Sequence, residues 1–240
     1  MTPTIHKADS RGLADHGWLK SRHTFSFASY YDDKRMGFGV LRVLNDDVVA
    51  PGRGFGTHPH ENMEIISIPL HGQLRHKDSE GNETVIKNGE VQIMSAGTGV
   101  LHSEYNHSDT DAVNFLQIWV LPKKQNIHPR YDQRRFDPEG RQDQFQLAVS
   151  PLGTDDAGIK INQDAYFSLV DLSQGRKISY DRYRAGNLVY LFVMDGSLEV
   201  NGEQLAPRDA IGLTDPVSIG IQATSKASVL VMEVPGGKTP

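Results

Sequence analysis

The apolar residues of this chain come in short runs, four to eight long and rich in β-branched and aromatic side chains, and each run stops at Gly, Pro, Asn or Asp. The clearest are residues 40–44, 64–70, 91–94, 115–121, 188–194 and 229–234. Runs of that length with those boundaries read as strands, since a helix would need a longer stripe of period 3.6 to bury one face. Turn signals recur at Gly72, Gly81-Asn82, Asn88-Gly89, Gly97, Gly196, Asn201-Gly202 and Pro207-Arg208-Asp209. Many short strands separated by Gly-rich turns predict an all-β barrel or sandwich. Helix is expected only as a turn or two near residues 9–17 and after Gln125.

A faint internal repeat suggests two such barrels. Ile68-Pro69-Leu70-His71-Gly72-Gln73-Leu74 leads through a polar hairpin to Asn88-Gly89-Glu90-Val91, and Phe192-Val193-Met194-Asp195-Gly196-Ser197-Leu198 leads to Asn201-Gly202 and Pro207-Arg208-Asp209-Ala210-Ile211. Self-similarity at this scale is the mark of a duplicated unit, and 240 residues suffice for two compact domains. The boundary is expected in the polar, Pro-containing stretch 122–144, dividing the chain into domains 1–130 and 131–240. All ten histidines lie at or before His128, so any histidine chemistry belongs to the first domain and the second is expected to lack metal ligands.

Composition removes several function classes. With no cysteine, disulfides, thiolate nucleophiles, Fe–S clusters and Cys-based zinc sites are all excluded. A net charge of −5 without a basic stripe argues against direct nucleic-acid binding. The chain holds no apolar stretch near 18 residues and no signal-peptide pattern at its start, so no membrane span is expected and the expected compartment is the cytoplasm. A monomer is the simplest expectation for a two-barrel chain.

His58-Pro59-His60 places two imidazoles on one side of an extended segment, because alternate side chains share a face. His102-Ser103-Glu104 repeats the arrangement. If the two segments lie side by side, three imidazoles and one carboxylate converge on a point, the donor set of a divalent transition metal. Gly52, Gly54 and Gly56 before the first pair, and Gly97 and Gly99 before the second, are read as hinges. Such a set suits Fe(II), Mn, Co, Ni, Cu or Zn and ill suits Ca or Mg. Because a metal-bound carboxylate can detach or take a proton, Glu104 is a candidate general base as well as a ligand. Glu64 is read as lying on the ligand face, a fifth ligand or, preferably, an acceptor for an imidazole N–H. His71, His76, His107 and His128 are read as surface residues, and His23, ahead of Thr24-Phe25-Ser26-Phe27, as a structural histidine.

These residues resemble a known family. Gly52-x5-His58-x-His60-x3-Glu64 with Gly72, and Gly89 with Gly99-x2-His102-x3-Asn106, are similar to the two cupin motifs, with Ser95-Ala96-Gly97 in place of the usual proline-containing turn. Thr57-His58-Pro59-His60 and the stretch from Ser95 to Glu104 resemble the pirin family of bicupins, as do His23-Thr24-Phe25-Ser26-Phe27, Met36-Gly37-Phe38, the stretch from Leu41 to Asp47, and Gln117-Ile118-Trp119. The resemblance is dense from Gly12 to Phe136 and thinner beyond. It implies two tandem cupin domains, each a double-stranded β-helix or jelly-roll barrel. It also implies metal ligation by His58, His60, His102 and Glu104, with Fe(II) the first choice, and a C-terminal cupin without ligands.

For activity, the resemblance to bacterial pirin-like proteins implies quercetin 2,3-dioxygenase chemistry, in which flavonol and dioxygen give a depside and carbon monoxide. The expected partners are therefore a flavonol or other enolisable small molecule and dioxygen. A second reading stays open: the animal member of the family is described as an iron-containing nuclear co-regulator, which implies a metal- or redox-sensing protein that binds a protein partner. A cupin-type isomerase or hydrolase is the third. Turnover separates the first from the second.

Overall fold

The computed structural model describes residues 3–216 and 218–237. In chain order its strands are β1 (Thr4–His6), β2 (Gly12–Asp15), β3 (Leu19–His23), β4 (Leu41–Val49), β5 (Gly54–His60), β6 (Glu64–His71), β7 (Gln73–Asp78), β8 (Glu83–Lys87), β9 (Glu90–Ser95), β10 (Val100–Asn106), β11 (Val113–Val120) and β12 (Arg130–Arg135). They continue as β13 (Gln146–Pro151), β14 (Ile159–Ile161), β15 (Tyr166–Leu172), β16 (Lys177–Ser179), β17 (Leu188–Asp195), β18 (Leu198–Val200), β19 (Glu203–Leu205), β20 (Ala210–Leu213), β21 (Gly220–Ala223) and β22 (Ala227–Val234). All six apolar runs become strands: β4, β6, β9, β11, β17 and β22. Helix among the described residues is limited to 3₁₀ turns at Ala8–Ser10 and Pro138–Arg141. In the segment after Gln125 the helical turn comes only at Pro138–Arg141, since Arg130–Arg135 before it pairs along its whole length with β9 as β12. Among the described residues no helix is long and apolar enough to cross a membrane.

The chain forms two compact units. The first comprises residues 12–136 with 159–163, and the second residues 137–158 and 164–237 with those up to Arg11. This partition differs from a single cut at 130/131, and backbone pairing is the reason. β12 belongs to the sheet of β9, whereas β1 pairs with β20, Ile5 standing opposite Ile211. The Asn162 amide, in turn, donates to buried Glu64.

In the first unit the sheet order is β12-β9-β6-β11-β4-β3-β2, and a second sheet runs β5-β10-β7-β8. The second unit repeats this plan as β1-β20-β17-β22-β15-β13 and β16-β21-β18-β19. Each is thus an antiparallel jelly-roll barrel, and β1 occupies the edge place in one that β12 occupies in the other. Asn201 and Gly202, both at positive φ (49° and 92°), form the tight turn between β18 and β19, a conformation that Asn-Gly tolerates best.

The two interiors differ. The second barrel is filled by one continuous apolar cluster that includes Leu191, Val193, Leu198, Val200, Ile221 and Val231. In the first, the described residues form one cluster around Leu19, Val49, Leu74, Ile86, Val113 and Phe115 and another, separate from it, around Ile65, Met94, Ala96 and Val100. Between them lies a polar layer. His23 pairs with Asn45, Asn45 with Gln117, Gln117 with Ser67, and Ser67 with Gln92, a row of buried polar side chains across five strands. Residues paired directly across a sheet share a face. Ser67 and Gln117 bond to Glu104 of the opposite sheet, so the row points into the barrel. Burying polar groups is costly unless they serve a site or one another, which marks this layer as the place to look for chemistry.

One buried carboxylate has a purely structural explanation. Glu233 on β22 accepts from the amides of Tyr183 and Arg184 (2.8 Å each), from Asn187 Nδ2 at 3.0 Å and from Tyr180 Oη at 3.2 Å, pinning the 180–187 loop. Glu233→Ala is expected to cost about 3–5 kcal/mol, because it strands buried donors that met a charge. Urea unfolding measures this, and a loss below about 1 kcal/mol would refute the pinning role.

Candidate metal centre

β5 and β10 run antiparallel with His58 opposite His102 and His60 opposite Val100. The register then shifts: Glu104 stands opposite Phe55, so Gly56 and Thr57 together face Ser103. A bulge of this kind bends the strand and re-aims its side chains. It also brings β5 close to β10, where a Cβ on Gly54 would lie 2.2 Å from the Glu104 carbonyl oxygen. Gly54 and Gly56 therefore lie within a strand and are not hinges, whereas Gly52 sits in the preceding turn at φ +62°.

This register gathers the histidines. Ring centroids are 4.4 Å apart for His58 and His102 and 4.8 Å for His60 with either. The Nε2 atoms of His58 and His102 are 3.0 Å apart. His58 Nδ1 lies 2.8 Å from the Gly56 carbonyl, which only accepts, so the proton sits on Nδ1 and Nε2 presents a bare lone pair. Burial, followed by the charge of its neighbour His58, holds His60 down at about 4. The same causes, with His60 and His76 added, hold His102 at about 2. Both are neutral imidazoles at ordinary pH, as metal ligands must be.

Glu104, two residues beyond His102 on the same face of β10, is buried against the polar layer. Gln117 Nε2 donates to its Oε2 at 2.6 Å, and Ser67 Oγ lies 3.1 Å from its Oε1 and 3.0 Å from Gln117 Oε1. Ser67 has one proton to give and the Gln117 oxygen can only accept. The three bonds coexist when Glu104 carries a proton and donates to Ser67. Burial, only partly offset by Ser67 and Gln117, pushes Glu104 up to about 7.

His102 belongs to two groups whose ligand atoms lie within 4.8 Å of one another, His58–His60–His102 and His76–His102–Glu104. His76 corrects the sequence reading. It is fully buried opposite Glu104, its ring against Tyr131 and its Nε2 3.0 Å from Asp78 Oδ2. The missed signal is alternation: Leu74, His76 and Asp78 are buried while Arg75 and Lys77 are exposed, the period-two pattern of a strand. Ser67 and Gln117 were missed as well, each a polar residue embedded in an apolar run. Glu64 is a second correction. The chain breaks after His60, with Asn62 at φ 48°, and Glu64 faces away from the histidines, accepting from Ser95 Oγ at 2.7 Å and the Asn162 amide at 3.1 Å. It contacts no imidazole among the described residues. His71, His107 and His128 are exposed, and buried His23 packs edge-on against Phe27.

Beside His60 a cleft of about 410 Å³ opens between Pro59, Glu61, Ser79, Gly99, Val100 and Leu101, with Trp119 packed edge-on against the His60 ring at 4.9 Å. Among the described residues the second barrel shows no counterpart to this site. Where His76 pairs with Glu104, and Leu74 with Asn106 two residues on, the second barrel pairs Val200 with Ile221 and Leu198 with Ala223. The ligand positions there are part of the apolar core.

Three comparisons bear on this arrangement. The pirin family signature matches residues 5–120, and that of the quercetinase C-terminal cupin domain matches residues 147–234. The quercetin 2,3-dioxygenase of Escherichia coli K12 is 44% identical over 232 residues, covering 96% of this chain and 98% of that one, and a pirin-like protein of Caulobacter vibrioides is 39% identical, covering 94% and 96%. The crystal structure of the bacterial pirin YhhW from E. coli in complex with nickel(II) superimposes with a TM-score of 0.92 at 43% identity, covering 98% and 99%. With an all-β bicupin fold and relatives matched nearly end to end, this chain belongs to the pirin family.

Proposed function

We propose that the chain is a metal-dependent dioxygenase that opens the heterocyclic ring of a flavonol, quercetin or a close relative, with release of carbon monoxide. His58, His60, His102 and Glu104 are the proposed ligands of one divalent ion. The observation that carries the reading is the convergence of three imidazoles beside a buried carboxylate, His58 and His102 meeting at 3.0 Å through Nε2. That donor set fits a transition metal and offers no hard all-oxygen cage. Fe(II) is the first choice on the family resemblance, and nickel(II) is the ion in the E. coli relative's structure.

The bound ion would acidify a coordinated hydroxyl and leave positions open for substrate and dioxygen. The chain's own residues do the rest. Glu104, buried beside the imidazoles, is the carboxylate placed to take the proton of the flavonol 3-hydroxyl and leave an electron-rich enolate. Gln117 and Ser67 hold the carboxylate in place, and the Pro59–Val100–Leu101 wall of the cleft gives a planar aromatic ligand an apolar surface. The relatives' name, quercetin 2,3-dioxygenase, supports this substrate class.

The test is to reload metal-free protein with Fe(II), Mn, Co, Ni and Cu in turn and follow quercetin loss, oxygen uptake and headspace carbon monoxide. Many turnovers with one carbon monoxide per quercetin are expected. Tight metal binding without oxygen consumption would overturn the dioxygenase reading in favour of a metal or redox sensor.

A further inference from the structure

The buried histidine outside the proposed ligand set, His76, has a defined tautomer. Asp78, its partner, accepts at Oδ1 from the Glu80 and Asn82 amides (3.0 and 2.9 Å) and at both oxygens from Asn82 Nδ2 (3.1 and 2.9 Å). A carboxylate so surrounded by donors is an acceptor, so the 3.0 Å contact to His76 Nε2 is an N–H donation from the ring. His76 Nδ1 is then a bare lone pair. It is buried and has no hydrogen-bond partner among the described residues.

An orphan of the opposite kind lies beside it. His102 points Nε2 at His58 Nε2, and as a metal ligand through that nitrogen it carries its proton on Nδ1, an atom that too is buried without a partner among the described residues. The two rings are 5.4 Å apart between centroids and tilted by 54°. They lie on one face of paired strands, where His102 is opposite Asp78 and His76 opposite Glu104. Tyr131 packs on His76 at 4.9 Å and is itself bonded through Oη to Thr84 Oγ1 at 2.7 Å, which restrains the ring. A buried donor and a buried acceptor, each unmet and adjacent, complete one another.

We propose that His76 is the positioning residue for His102, in a chain running Asp78 carboxylate, His76, His102, with His102 Nδ1–H donated to His76 Nδ1 directly or through one water. Metal-binding histidines generally donate their second N–H to a carboxylate or carbonyl that fixes ring and tautomer. Here an imidazole is interposed between that carboxylate and the ligand. The chain fixes His102 with Nε2 free and raises its basicity. The inference rests on His102 being a ligand, as proposed above.

The experiment measures nickel(II) affinity by competition with a chelator for the wild type, His76→Phe and His76→Asn. Phenylalanine fills the space without an acceptor, while asparagine restores an oxygen near the place of Nδ1. Affinity is expected to fall about 10–100-fold in His76→Phe and to recover largely in His76→Asn. In the zinc-loaded, ¹⁵N-labelled protein, the His102 Nδ1–H signal is expected to exchange slowly with solvent in the wild type and His76→Asn and quickly in His76→Phe. Nickel affinity of His76→Phe within threefold of wild type would overturn the chain while leaving the ligand set standing. Failure of the wild type to bind nickel or zinc would overturn both. If His76→Phe does not fold, the wild-type signal decides: slow exchange supports the chain, and rapid exchange of His102 Nδ1–H overturns it.

Discussion

His102→Ala is expected to abolish metal retention while leaving a folded protein. His102 is the residue common to both groups of convergent donors, so its removal breaks the link between the β5 imidazoles and Glu104. Loss of a mere outer partner typically costs a metal site about 10–100-fold in affinity, and loss of a direct ligand should exceed that, on the order of a thousandfold. Metal content after desalting reports it, and unchanged content would refute the ligand assignment. The same variant makes a second prediction by linkage. A histidine held at about 2 in the folded state contributes stability that is present above its ordinary value and lost as pH falls through the folded one. His102→Ala lacks that liability, so the metal-free variant should lose less stability than wild type between pH 7 and pH 5, as read by thermal melts.

Glu104→Gln should separate chemistry from folding. Removing a general base typically lowers turnover about 10²–10⁴-fold, and glutamine cannot serve as one. A variant that kept both metal and full turnover would refute the base role. Structurally, glutamine suits the metal-free site, since its amide can donate to Ser67 and accept from Gln117 just as the protonated carboxyl does. The sign of the pH effect follows. A carboxyl raised to about 7 contributes stability that is full below its unfolded value and lost as pH rises through 7. Metal-free Glu104→Gln is therefore expected to melt above wild type at pH 8 and close to it at pH 5. Metal binding, which needs the carboxylate, should correspondingly strengthen in the wild type as pH rises toward 7.

Much of the fold was legible because strand burial and apolar content coincide in β4, β6, β9, β11, β17 and β22. It was illegible where pairing alone makes the strand. Arg130–Arg135 is polar and half-exposed and takes its conformation from β9; Thr4–His6 takes its own from β20. At the site, the His-x-His and His-x-Glu spacings announced their shared face. What spacing could not announce was which residues stand behind them, because Ser67, His76 and Gln117 become neighbours of Glu104 only through the closure of one sheet on the other. Glu64 shows the reverse error: a four-residue offset reads as one face only while the strand continues, and the break at Asn62 turns it away.

The place of β1 in the second barrel sets an order on how the chain can be built. Thr4–His6 leaves the ribosome roughly 200 residues ahead of its partner Ala210–Leu213. His6 Nδ1 meets Tyr190 Oη at 2.6 Å, while Lys7 Nζ and the Ala8 amide both reach Asp209 at 2.8 Å. Closing a loop of roughly 200 residues costs about 5 kcal/mol of chain entropy by the logarithmic law, so this edge is sealed late, after the sheet it joins exists. The first barrel needs nothing from those residues for its sheets. Damage to β1 should therefore be felt in the second barrel, leaving His58, His60 and His102 undisturbed.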